Sequence, residues 1–196
     1  MLGKELWEID GTASRLDFSL RHIVITEISG RFGSWGGQMI FDPDDVDRSL
    51  IKVWIDVASI DTGSGERDAH LRSPEFLDVA RFPRAAFVST GVDVQRDGQA
   101  RLTGVLRLHG VSRNVELEVA TERTWVDESR RLRAAYRLRG RLDRQAFGLH
   151  WNQDLDVGGI VVGDEVEIEA RVELVRTADS IVVSEGPVAG DPAQAP

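Results

Sequence analysis

Cysteine is absent from the sequence, which excludes disulfide stapling and every form of thiolate chemistry. No window approaches the roughly 20 consecutive apolar residues that a bilayer-spanning helix needs, so a lipid would have to be met in solution or at a membrane surface. The opening decapeptide, from Met1-Leu-Gly-Lys4 to Ile9-Asp10, lacks the apolar stretch and small-residue cleavage site of a secretory signal, and the expected location is the cytoplasm. Lysine is almost missing as well: apart from Lys4 and Lys52 every basic residue is arginine, which reads as composition bias without functional meaning. Helical periodicity is scarce. No Gly-x-Ser-x-Gly elbow, phosphate-binding loop or dinucleotide fingerprint occurs, and no pair of histidines has metal-site spacing.

What is present suits one folded domain. The 196 residues are 41% hydrophobic and 29% charged, and the formal net charge of −9 disfavours nonspecific attraction to phosphate backbones, so nucleic acid is not an expected partner. Alternation of apolar and polar residues dominates from Trp7 to Val175. Leu16, Phe18 and Leu20 alternate with Arg15, Asp17, Ser19 and Arg21; Leu102, Gly104, Leu106 and Leu108 alternate with Arg101, Thr103 and Arg107. Further strands are predicted near 31–41, 49–57, 85–95, 112–126, 131–143 and 162–175, with Asp97-Gly98 as a tight hairpin turn. The expected fold is an all-β, eight-stranded antiparallel barrel, because long hairpin-linked strands must close to protect their edges. Gly36-Gly37, with Gly30 and Gly33 just before, would let a strand coil at a barrel corner.

One or two short helices are expected at about 64–80, the first over Gly65-Glu-Arg-Asp-Ala-His-Leu-Arg72 and the second opened by Ser73-Pro74-Glu75. The domain is expected to span 1–176, and the Pro-, Gly- and Ala-rich residues 177–196 to form a disordered tail. Arg131, Arg133, Arg137, Arg139 and Arg141 share one parity of a strand. Glu116 and Glu118 stand on the preceding strand, and Glu165, Glu167, Glu169 and Glu173 on the last, so the arginine stripe reads as a self-neutralised, solvated wall.

Three clusters invite a chemical reading. Asp61-Thr62-Gly63-Ser64 matches the aspartic-protease signature, but that chemistry needs a second aspartate, and no second such motif occurs; only a homodimer using Asp61 twice could supply it. His22, His70, His109 and His150 are far apart and read as hydrogen-bonding residues. The run from Phe41 to Asp47 is acidic, but it puts Val46 and Asp47 where a calcium loop wants an oxygen ligand and a glycine. What remains is apolar bulk: Phe18, Phe32, Trp35, Met39, Phe41, Phe87, Tyr136, Phe147 and Trp151. A barrel of eight strands can pack such residues as solid core or leave room for one small ligand, and periodicity does not separate the two.

The chain resembles the YceI-like polyisoprenoid-binding family from about Trp7 to Val175. The stretches that carry the likeness are Trp7-Glu-Ile-Asp10, Phe18-Ser-Leu-Arg-His22, Gly30-Arg-Phe32, Trp35-Gly-Gly37, Ile40-Phe-Asp42 and Ser59-Ile-Asp-Thr62. They continue with Arg67-Asp-Ala-His-Leu-Arg-Ser73, Glu75-Phe-Leu-Asp78, Phe82-Pro83, Phe87-Val-Ser89, Gly104-Val-Leu-Arg-Leu-His-Gly-Val-Ser-Arg113 and Asp143-Arg-Gln-Ala-Phe-Gly148. The resemblance implies a lipocalin-like barrel that binds, stores or transports a polyisoprenoid lipid such as an isoprenoid quinone or a prenyl diphosphate, without being an enzyme and without a further cofactor or metal. A scavenger of hydrophobic small molecules would use the same barrel, and a homodimer is compatible with it. The lining expected of such a cavity is Phe18, Leu20, Phe32, Trp35, Met39, Phe87, Leu106, Leu108, Tyr136, Phe147 and Trp151. His22, Arg67, Asp68 and His70 are the residues expected to meet a head group, with a structural Arg67–Asp68 ion pair pinning the helix as the competing role.

Overall fold

Among the described residues, alternating inward and outward side chains resolve into eleven strand segments: β1 (Lys4–Ile9), β2 (Arg15–His22), β3 (Thr26–Phe32), β4 (Trp35–Phe41), β5 (Leu50–Asp56), β6 (Ile60–Asp61), β7 (Arg84–Val94), β8 (Gln99–Leu108), β9 (Val111–Val126), β10 (Leu132–Asp143) and β11 (Val162–Ile181). The computed structural model describes residues 3–22, 26–150 and 162–181, with the backbone alone at 21–22, 26–27, 162 and 178–181. All pairings are antiparallel, and β1 closes the sheet onto β11.

Eleven segments make an eight-stranded barrel because three strands are each broken once. β11 pairs along one edge with β1 through residues 174–181 and with β2 through 162–171, so β1 and β2 are one stave. In the same way β3 pairs with β2 and β4 with β1, while β6 pairs with β3 and β5 with β4. The breaks lie side by side as a crease across adjacent staves. Asp10 accepts from the backbone N–H and hydroxyl of Thr12 (3.1 and 2.6 Å), the Gly33 N–H donates to the Ser59 carbonyl (3.1 Å), and the Ser34 N–H to Ser59 Oγ (3.0 Å). The expected corner therefore falls at Gly33-Ser34 and not at Gly36-Gly37, which lie within an unbroken β4. Asp97 (φ 60) and Gly98 (φ 73) form the predicted tight turn between β7 and β8.

Among the described residues one α-helix is present, α1 (Gly65–Arg72), lying between β6 and β7 at the barrel end that also carries the β8–β9 turn and the segment after β10. The second expected helix is a set of turns. The Ser73 carbonyl accepts from both Phe76 and Asp78 N–H, and Asp78 takes a left-handed φ of 44, a conformation that no α-helix continues through. No described helix is long and apolar enough to cross a membrane. At the other boundary β11 runs on to Ile181, paired to β1, so residues 177–181 are sheet where a tail was expected; 182–196 lie outside the described residues.

The outer wall carries the arginine ladder. Arg139 meets Glu169 (3.3 Å), and Arg141 meets Glu167 (3.6 Å) and Glu165 (3.7 Å). Arg133, with only 14% of its side chain exposed, contacts Asp10 (2.9 Å), Asp127 (2.9 Å) and Glu173 (3.5 Å), tying the β1–β2 break to β10 and β11. The detail differs from expectation in two places. Glu116 pairs with Arg101 on β8, and Arg137 turns to Glu122, which also holds Arg171. Hydrogen bonds from Arg171 and Arg137 keep the Glu122 carboxyl below its usual range, and those from the Arg133 side chain and the Arg131 backbone bring Asp127 down to about 2.

Candidate ligand cavity

Closing an eight-stranded sheet leaves an interior about as wide as two facing side chains, and whether it fills depends on how those side chains lie. Two apolar clusters line this barrel. Phe18, Phe87, Leu106 and Phe147 belong to the first, nearer the helix end; Trp7, Leu16, Ala134 and Val172 belong to the second. Between them runs a cavity of about 520 Å³, within the usual size of small-molecule sites.

Three glycines help to keep it open. Phe18 lies over Gly30, its Cζ 2.5 Å from where a Cβ would stand, and in the same way Phe87 lies over Gly104 and Leu117 over Gly140. Each bulky side chain thus lies down in a notch of the wall instead of reaching across the bore. A β-carbon at any of these glycines would push its neighbour toward the lumen.

Phe18, Leu20, Phe32, Trp35, Met39, Phe87, Leu106, Leu108, Tyr136 and Phe147 all line this space. Trp151 lies outside the described residues, and so does the side chain of His22. The aromatic emphasis of the sequence reading passed over most of the aliphatic lining, such as Ile9, Val53, Leu102, Leu138, Val166 and Ile168, although the same period-two parity marks them.

The polar groups gather where α1 meets the rim. Thr62, Arg67 and His70 line the cavity; Asp68 does not. Asp68 is buried, and its carboxylate accepts from the Thr62 N–H (3.0 Å) and hydroxyl, which anchors the helix to β6 and its following turn. Arg67 donates through Nε to the Thr62 hydroxyl and through Nη2 to the Thr62 carbonyl, both at 2.8 Å. The helix is pinned as the competing reading held, but through Thr62, and no ion pair joins Arg67 to Asp68 among the described residues. Among the described residues no carboxylate pairs with Arg67 at the cavity edge. His70 Nε2 stands 3.3 Å from Glu75, and Leu71, Phe76 and Leu77 line the cavity beside these polar groups.

Arg144 also lines the cavity, and the sequence reading missed it. Its side chain is 2% exposed and donates to the carbonyls of Gly163 (3.0 Å) and Leu149 (2.7 Å) and to Asp164 (3.0 Å), holding the turn after β10 against the start of β11. An arginine in a turn normally reads as solvated, so only its place in a motif singled it out.

The other candidate chemistries resolve into structure. Asp61 is bound by Arg31 (2.8 Å) and accepts from the Gly63 N–H (2.9 Å), and these partners hold its carboxyl below the usual range; a protease dyad needs a carboxyl that keeps a proton. His109 Nδ1 bonds the Phe147 carbonyl at 3.3 Å, its ring edge-on to Phe82. Asp42 pairs with Lys4 (3.5 Å) in an acidic turn, and no group of three or more His, Asp or Glu placed to hold a metal occurs among the described residues.

Comparison with known proteins agrees with this architecture. The chain is 34% identical over 167 residues to Protein YceI of Salmonella newport, covering 85% of this chain and 84% of that protein, and 34% identical over 140 residues to a UPF0312 protein of Pseudomonas savastanoi, covering 71% and 73%. Among solved structures it resembles BcnA of Burkholderia cenocepacia (TM-score 0.73, 22% identity, 84% of this chain and 98% of that one). It also resembles a polyisoprenoid binding domain from Saccharophagus degradans (TM-score 0.66, 16% identity, 90% and 100%). A model of the YceI-like domain matches residues 7–174, nearly the whole barrel, and the chain belongs to that family.

Proposed function

We propose that this protein binds a long-chain isoprenoid or similar amphiphilic lipid inside its barrel and stores or carries it, without converting it. The observation that carries the reading is the cavity of about 520 Å³, walled almost wholly by carbon and kept clear by side chains lying over glycines. The polyisoprenoid-binding description of the Saccharophagus degradans neighbour supports it.

The driving force is removal of hydrocarbon from water. At roughly 0.8 kcal/mol per buried carbon, each prenyl unit contributes about 4 kcal/mol. One to four units then offset the roughly 4–15 kcal/mol of freedom lost on association, and a longer tail leaves a surplus. A charged head cannot follow the tail inward, because an apolar wall offers nothing to replace its hydration. It would stay at the helix end, where Arg67 supplies a positive charge with no described carboxylate partner and Thr62 and His70 supply further polar atoms.

Organic extraction of the purified chain followed by mass spectrometry tests this. A prenyl lipid recovered in stoichiometric amount is the expected result. Empty extracts, together with no binding of added prenyl lipids, would overturn it in favour of a protein acting through its outer surface.

A further inference from the structure

Tyr136 is the only tyrosine in the chain, and it lines the cavity with its ring packed against the second apolar cluster. It stands opposite Val172 of β11, four residues into β10; Asp143, at the helix end, is seven residues further on, about 23 Å of extended strand away. The phenol therefore sits in the half of the bore remote from Arg67. No described group hydrogen-bonds its hydroxyl, and burial alone, with no neighbouring charge, pushes its pKa above the ordinary value, so it remains an O–H donor. A cavity-lining tyrosine hydroxyl that no described protein group satisfies is left to a ligand or to water, and packing alone would be served as well by phenylalanine.

We infer that Tyr136 is a specificity residue that selects apolar ligands bearing a neutral oxygen, a ring carbonyl or hydroxyl, seated beside it in the half of the bore remote from α1. The inference rests on the binding reading above and sharpens it. A carbonyl exchanges its water for the phenol O–H, whereas a phosphate would bring a charge that one hydroxyl cannot compensate. Neutral oxygenated lipids then enter ring first, with the tail toward α1, and anionic ones lie the other way round with the head at Arg67.

The test compares the full chain with its Tyr136→Phe variant, using a prenylated benzoquinone and an oxygen-free prenyl hydrocarbon of equal chain length. Titration calorimetry should show the variant about five- to tenfold weaker for the quinone, the worth of one neutral hydrogen bond, and unchanged for the hydrocarbon. Ultraviolet resonance Raman of the single tyrosine in the unsubstituted chain should report a new hydrogen bond with the quinone and none with the hydrocarbon. If both probes bind, the variant discriminates no less than the parent and the tyrosine doublet does not move, the role of Tyr136 is overturned while the binding reading stands. If the unsubstituted chain binds neither probe, the binding reading falls, and this inference with it.

Discussion

Gly140→Ala separates an open bore from a packed one. A methyl at this inward position on β10 would stand far inside contact distance of Leu117 Cδ2, which must retreat by about 1 Å to regain the roughly 3.5 Å separation of touching carbons. The other close atom, the Glu116 carbonyl oxygen at 3.1 Å, needs to give only a few tenths of an ångström. In a filled core the retreat is overpacking and costs about 1–3 kcal/mol. In an open bore Leu117 swings into empty space, and the smaller entropy of the unfolded alanine chain returns about 0.4–1 kcal/mol, so the ligand-free protein should be no less stable than the parent and gain at most about 1 kcal/mol. The steric cost reappears when a lipid fills the bore: 1–3 kcal/mol transferred to binding is about a 5- to 150-fold loss of affinity. Denaturant unfolding of ligand-free protein and an equilibrium titration with prenyl lipid give the two numbers. A variant that is 1–3 kcal/mol less stable when empty, yet binds lipid as tightly as the parent, would refute the reasoning.

Other substitutions extend the test. Leu106→Trp enlarges a side chain that lines the cavity and should abolish binding of a long prenyl chain with the ligand-free unfolding midpoint nearly unchanged; strong destabilisation with normal binding would show that the tube does not pass Leu106. Replacing Arg137 and Arg139 by Gln should lower stability modestly, each exposed pair being worth about 0.2–1 kcal/mol, and leave affinity alone, since both point outward; loss of affinity at constant stability would make the ladder functional. The carboxyl of Asp127, depressed to about 2 by Arg133 and the Arg131 backbone, contributes stability that is present above the unfolded aspartate value near 4 and is lost as pH falls toward 2. Asp127→Asn should therefore lower the melting temperature at pH 7 and have little effect at pH 2, and an equal drop at both would place its role elsewhere.

Period-two alternation made the barrel legible because one buried face is the defining constraint on a strand: Leu102, Gly104, Leu106 and Leu108 face inward as their parity requires, and Asp97-Gly98 turns as its chemistry demands. Register was harder to read. Opposite Ala135 and Tyr136, Glu122 of β9 is bulged out of register, so Arg137 finds Glu122 where counting by parity pointed to Glu116 or Glu118. The second helix failed because Ser73-Pro74-Glu75 is as good a turn as a helix start, and the left-handed backbone at Asp78 settles which it is. Parity also tells which residues face inward without telling whether they meet. That the space between Phe18, Phe87 and Leu117 is empty depends on each lying over a particular glycine, which only the three-dimensional register reveals.

The claim that the bore itself is the binding site is tested most directly by fluorescence of Trp35, which lines the cavity. The signal of the full chain minus that of its Trp35→Phe variant is followed during titration with a prenylated benzoquinone. A saturable, one-to-one quench of this difference signal, suppressed when a prenyl hydrocarbon already fills the protein, is the predicted result. Quenching that never saturates, or that persists undiminished in protein saturated with the hydrocarbon, would contradict it.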